Sequence, residues 1–308
     1  GASTGGYETS TLALGLAQPV RAAEVSVCKS GCPHATIGAG VAAANSGDTI
    51  IIGAGSYTET VNTSGKILTF VGAGAGVTIV DGNDAGRVFS SDVDIALSEL
   101  TVQNGKVTSG DGGGINTAGA LTLTNVTVFS NTTTAFNGKG GGAYAGGSAV
   151  VVGGSFVQNQ GRLLGGGLYV EGTLTVNGAL FISNTTTNSG GGGVRVGGDA
   201  FLTGAVFDNN QAKISGGGAY VAGAAVIAGG SFERNQVTDV SIGGFPAPGN
   251  GGGVEVVGML TVTGTQFISN TATGVAGGVY ARSGALLTGA LFERNQASTY
   301  GGGIYSLA

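Results

Sequence analysis

The sequence contains no tryptophan, one methionine, one histidine, two cysteines and four prolines in 308 residues, and only 9% of it is charged. With His34 as the sole imidazole and two thiols, a zinc-type site lacks ligands, and no other cofactor is implied. The net charge of −5 is mild and forms no basic stripe, which excludes the footprint of a nucleic-acid-binding protein. No apolar run approaches the roughly 18 residues of a membrane-spanning helix, so no transmembrane span is expected. Cys28 and Cys32 stand four apart in VCKSGCPH, and a small disulfide loop is the expected use of them, pointing to an oxidising compartment.

What is abundant is glycine, 65 residues, together with 41% apolar residues. Such a composition without order reads as disorder, but here both classes recur at a fixed step. The pattern F-x-x-N carries Phe156, Phe181, Phe207, Phe232, Phe267 and Phe292, each followed by its asparagine: Asn159, Asn184, Asn210, Asn235, Asn270 and Asn295. Asn131 belongs to the same unit with Val128 in place of Phe. Successive asparagines lie 28, 25, 26, 25, 35 and 25 residues apart. A glycine run follows each, ending at Gly142, Gly167, Gly193, Gly218, Gly253, Gly278 and Gly303. An earlier, less regular copy is expected at Asn104. The single step of 35 reflects an inserted loop within residues 236–250, which holds two of the four prolines.

Within each unit the apolar residues alternate, as strands require. Leu168 and Val170 share a side, as do Leu174 and Val176, then Ala179 and Phe181, with Gly172 and Gly178 between. Three short strands and three turns in about 25 residues make one coil of a solenoid. The expected fold is all-β: a single-stranded right-handed parallel β-helix with coils of about 25 residues. Residues 35–45 read as a short N-terminal capping helix, since a solenoid needs its first coil closed. Residues 1–24 form an N-terminal extension, and 25–308 the β-helix. Residues 11–23 have the small, apolar look of a signal-peptide end but no basic start, and are read as part of the mature chain.

The stretch ATIGAGVAAANSGDTIIIGAGSYTETV, with ILTFVGAGAGVTIVDG after it, resembles the opening of pectin methylesterases and pectate-lyase-like β-helix proteins. The later F-x-x-N and GGG-x-Y units resemble the repeats of chlamydial polymorphic outer-membrane proteins and bacterial surface β-helix proteins. The resemblance covers about residues 25–308 and implies a right-handed parallel β-helix that is secreted or displayed at the cell surface. It does not imply an enzyme. The paired aspartates, arginine and glutamines of the methylesterases have no matching constellation here, and the membrane barrel that ends the polymorphic proteins has no counterpart before Ala308.

The asparagines are expected to stack as an internal amide ladder, because a buried column of unpaired amides would be costly. The glycine runs are followed by strands, not by the helix a phosphate loop requires. Asp208 and Glu233 share a register beside Arg234, a spacing that suits glycoside cleavage; the same register elsewhere holds Phe129, Val157 and Ile182, which favours a solvated surface pair. Asp81, Asp84, Asp92 and Asp94 lack calcium-loop spacing. Of the sequons at Asn62, Asn125, Asn131 and Asn184, two fall in the ladder.

Two outer columns are candidate contact surfaces. Tyr144, Tyr169, Tyr220, Tyr280 and Tyr305 recur after the glycine runs, with Arg195 and Glu255 in the same column, which suggests outward-facing rings able to meet sugars or a protein. Val150, Phe201, Val226 and Leu286 recur six residues before the Phe column, an apolar stripe on an outward face. The last coil ends at GGGIYSLA without a cap, so head-to-tail self-association is expected, with residues 1–23 of one copy on the open end of the next. The functional expectation is a non-enzymatic extracellular structural or surface protein, assembling into a fibre, sheath or surface layer, with itself, glycans or other surface proteins as partners. The alternatives are a carbohydrate-binding or polysaccharide-cleaving protein and an adhesin passenger fragment.

Overall fold

A computed structural model describes residue 1, residues 22–238 and residues 249–307. The chain winds into a right-handed parallel β-solenoid of about 11 turns, with coils of about 25 residues and almost no helix. One coil shows the plan. Leu168–Val170 belongs to sheet 1, Leu174–Asn177 to sheet 2, Leu180–Ile182 to sheet 3 and Thr185–Thr186 to sheet 4. The four sheets contain 10, 11, 10 and 8 strands. The coils from Lys106 onward thus have a fourth, two-residue strand beyond the three expected, because the residues just past the ladder position also pair with their equivalents above and below.

Every neighbouring pair is parallel and in register, so like residues stack. Phe156 pairs with Phe181, Phe181 with Phe207, and Phe207 with Phe232. Their rings are stacked at centroid distances of 5.0, 4.7 and 4.6 Å inside the solenoid. Leu, Val, Ile and Ala, mainly from sheets 1 and 2, with Tyr57, Phe70 and Phe89 in the first coils, fill the rest of one continuous core. Each buried large side chain removes enough apolar surface to contribute roughly 1.5–3 kcal/mol.

Three of the four corners of the coil are set by a left-handed residue. Gly153, Gly178 and Gly204 sit at φ 61°, 70° and 59° between sheets 2 and 3. Ser183, Asn209 and Arg234, immediately before ladder asparagines, sit at 55°, 54° and 52°. Gly165, Gly191 and Gly216 open the glycine runs at 64°, 75° and 56°. The next two glycines of each run answer a different demand, close approach. A Cβ on Gly193 would lie 2.6 Å from the carbonyl oxygen of Gly218 in the coil above, too near for any side chain.

The N-terminal end is closed by the helix α1, Ile37–Ala43. Its first amides are met by Thr36 Oγ1 and by the Glu59 carboxylate, which accepts from the N–H of Ile37 and of Gly38 at 3.0 Å. Lys66 Nζ donates to the carbonyls of Val41 and Ala44 at its other end. Ile37 and Val41 are buried in the shared core. The first strand is Glu24–Val27, paired with Thr49–Ile52, so the solenoid begins at the last residue of the expected extension. Residues 2–21 of that extension lie outside the described residues, and with them its expected role as a connector. The inserted loop is narrower than 236–250: Gln236–Val237 forms a sheet 4 strand and Asn250 bridges Ser215, while residues 239–248 lie outside the described residues.

Candidate functional site

The inner columns are structural. Each ladder asparagine uses both ends of its amide. Asn159 Nδ2 donates to the Val128 carbonyl at 2.8 Å and to Asn184 Oδ1 at 3.0 Å, and Asn184 Nδ2 repeats this toward Phe156 and Asn210. The bonding runs unbroken from Asn131 to Asn295. The earlier copy is displaced by one residue from its expected place. Asn104 occupies the left-handed corner, φ 52°, and Gly105 takes the ladder position, donating its N–H to Asn131 Oδ1 at 2.7 Å. Asn131 and Asn184 are fully buried, so their sequons face the interior.

The tyrosine column stacks as expected but is not an exposed one. Tyr144 and Tyr169 are parallel at 5.7 Å, Arg195 lies over Tyr220 at 3.9 Å, and Tyr280 meets Tyr305 at 5.8 Å. Only 6% of Tyr169 and none of Glu255 reaches solvent. Rungs of about 4.8 Å leave no water between adjacent side chains, and longer side chains cover the edges: Lys139 over Tyr169, Arg282 over Tyr280. Burial, reinforced by its bond to Glu171, pushes the Tyr169 hydroxyl up to about 12. Burial alone would lower Lys139, yet the Glu171 carboxylate at 2.8 Å holds it above its ordinary value.

Glu255 is the one fully buried carboxylate of this column. Its Oε1 accepts from Arg282 Nε at 2.8 Å and from Arg282 Nη2, while its Oε2 has no hydrogen-bond partner among the described residues. Burial raises its pKa to about 7, partly offset by Arg282 and Arg195. Nothing in the sequence distinguished it from the solvated glutamates, because its column also holds Ser90, Asn116, an arginine and tyrosine rings.

Val150, Phe201, Val226 and Leu286 do face outward, on sheet 2, at 40%, 45%, 42% and 62% exposure. They share a row with Thr122, Thr175 and Thr261. The neighbouring row two residues on carries Val152, Asn177, Thr203, Ala228, Thr263 and Thr288. From Thr49 to Thr288, the strand residues of this face present hydroxyl, amide and apolar side chains and no charge, while exposed Asp94 and Asp199 stand at its edge and Glu24 begins its row on the first strand.

Asp208 and Glu233 lie side by side on sheet 3. Arg234 Nη2 donates to Asp208 Oδ2 at 2.6 Å and Nη1 to Glu233 Oε2 at 3.4 Å, so the pair is bridged by a cation rather than held apart around a substrate. Cys28 and Cys32 form a disulfide, with Cα atoms 5.6 Å apart. Among the described residues, no three His, Cys, Asp or Glu side chains gather as a metal site.

Sheet 4 and the corner beyond it hold a series of clefts that the sequence pattern did not announce. The two-residue strands present Thr132, Gln160, Thr185, Gln211 and Gln236 in one row. Thr134, Arg162, Thr187, Lys213 and Thr238 follow two residues on. A cavity of about 660 Å³ opens at the N-terminal end of this face between Thr108, Asp111, Phe136, Asn137 and Lys139.

No curated protein and no solved structure matches this chain. Residues 289–307 span the last copy of the unit, with the corner Gly289, Phe292, Asn295 and the run 301–303. That stretch matches the family model of the Chlamydia polymorphic membrane protein repeat.

Proposed function

We propose that this chain is a surface-displayed, non-enzymatic parallel β-helix that works by contact along its outer faces. The observation that carries the reading is the uncharged face of sheet 2. A solvated β-face ordinarily carries Lys or Glu, which also guards against unwanted association. Ten successive strands here carry neither, and in one row exposed apolar side chains are interspersed with threonines. A face of this kind is suited to lie against another surface. The repeat match supports a surface-type protein, and the ladders supply a stiff rod on which such a face is flat. Fibre formation, a sheath or adhesion are the finer forms of the same reading.

The test is a triple variant, Val150→Asp, Phe201→Asp and Val226→Asp, made in the full chain. Sedimentation and electron microscopy of purified protein, and adhesion to cells, are compared with the parent. Association or adhesion is expected to fall while the melting temperature stays within a few degrees. Unchanged association and unchanged adhesion would remove sheet 2 as the working face.

A further inference from the structure

From the coil of Asn131 onward, length variation is confined to one corner, because every step from a final glycine to the next Phe is 14 residues. The stretch from ladder asparagine to final glycine runs eight or nine residues in most coils, such as Asn159 to Gly167 and Asn184 to Gly193. It is eleven from Asn131 to Gly142 and eighteen from Asn235 to Gly253. Insertions in a solenoid that emerge on one side often mark its binding face. The first of them carries Phe136, which is 76% exposed. The Arg162 guanidinium from the next coil lies 5.3 Å from the ring centroid and donates to the Thr134 carbonyl at 3.2 Å, bracing the loop. Most of the ring faces solvent, beside the 660 Å³ cavity. Past the loop, cavities of about 210, 300 and 210 Å³ continue along sheet 4, the first two sharing Thr187 and the last two Thr185 and Gln211.

We propose that this groove binds a linear, uncharged glycan lying along the solenoid axis, with one pyranose ring stacked on Phe136. The exposed ring offers the flat apolar surface that the C–H face of a sugar meets. The hydroxyls of Thr185 and Thr187 and the amides of Gln160, Gln211 and Gln236 offer donors and acceptors on each rung, which is the chemistry sugar hydroxyls need. Rungs repeat at about 4.8 Å, close to the rise of one extended pyranose unit, so successive sugars meet equivalent groups. Charge selects a neutral chain: of the two cations lining the smaller cavities, Arg162 is held by the Phe136 ring and the Thr134 carbonyl, and Lys213 is not free either. In the principal cavity Asp111 is fixed at the wall by the Lys139 N–H at 2.8 Å, while Lys139 Nζ is turned to Glu171. A uronate would meet a carboxylate there and no unclaimed lysine. This groove is separate from the sheet 2 face and does not depend on its role.

The experiment is calorimetric titration of the full chain with neutral β-1,4-linked hexasaccharides of glucose, mannose and N-acetylglucosamine, and with oligogalacturonate. At least one neutral chain is expected to bind, and Phe136→Ala to weaken it about tenfold, the size of one stacking contact. Gln211→Ala is expected to weaken it further, while Phe201→Ala, on sheet 2, leaves binding unchanged. Circular dichroism of each variant confirms an intact fold, as these side chains lie outside the core. No binding of any neutral hexasaccharide at millimolar concentration, binding indifferent to Phe136→Ala, or a preference for oligogalacturonate would each overturn the proposal.

Discussion

Asn184 and Asn210 are joined twice: the side-chain amide of Asn184 donates to Asn210 Oδ1 at 2.9 Å, and its backbone N–H reaches the same oxygen at 3.0 Å. One carbonyl oxygen therefore satisfies two buried donors, while Asn210 Nδ2 continues the chain to Phe181 and Asn235. Asn210→Ala strands the N–H of Asn184 without water. We expect a loss of about 2–4 kcal/mol, since each unsatisfied buried group costs roughly 1–3. Asn295→Ala, in the half-exposed last coil, should cost under about 1 kcal/mol because water replaces the amide. Urea denaturation of the two variants checks the contrast, and equal losses would contradict it.

Ala276 stands where every other coil from Gly112 to Gly301 has glycine, and it keeps the left-handed conformation at φ 60°. A Cβ in that conformation costs roughly 1–2 kcal/mol. Glycine loses more freedom on folding and gives up one buried methyl, which offsets part of the gain. Ala276→Gly should therefore stabilise by up to about 1 kcal/mol, read as a rise of the melting temperature.

The opposite change at the end of a glycine run should be severe. In Gly193→Ala the new methyl meets the Gly218 carbonyl oxygen at 2.6 Å and the Phe207 ring at 3.0 Å. Neither can retreat, because each is itself stacked on the next coil. We expect at least about 3 kcal/mol, toward the upper end for overpacking, and loss of the cooperative melt is an acceptable form of the same result.

The buried Glu255 carboxyl makes stability fall as pH rises. Its folded value of about 7 lies above its ordinary 4.5, so the unfolded chain releases this proton first. The contribution is neutral below about 4.5, turns unfavourable between about 4.5 and 7, and is constant above, with a total of about 3 kcal/mol. Asp81 and Glu171, whose values are lowered by hydrogen bonds and by Lys139 against the pull of burial, act in the opposite sense at lower pH. The difference between parent and Glu255→Gln isolates the effect. The variant should gain on the parent across that window, and parallel pH profiles would count against the assignment.

The repeat was legible because it is one-dimensional. Phe181 and Phe207 are 26 residues apart in sequence and 4.7 Å apart as rings; a fixed step plus parallel pairing leads from one to the other. Register failed where the motif was incomplete. Asn104 looked like a ladder residue, but pairing of Gln103 with Phe129 puts Gly105 beside Asn131. The two-residue strands of sheet 4 were hidden for the same reason of size: Thr185–Thr186 is too short to show alternation.

Period and side-chain type, both readable along the chain, thus decided the coil, the ladders and the outward stripe of Val150, Phe201, Val226 and Leu286, since alternation alone assigns a strand residue to one face or the other. Which outward residues meet water was decided in three dimensions. Glu255 and Tyr169 point away from the core and are nevertheless covered, because rungs about 4.8 Å apart exclude solvent between them and Arg282 and Lys139 close over the edges. Phe136 lies in a loop with no period to read, and its exposure follows from the three-dimensional corner on which the extra residues emerge.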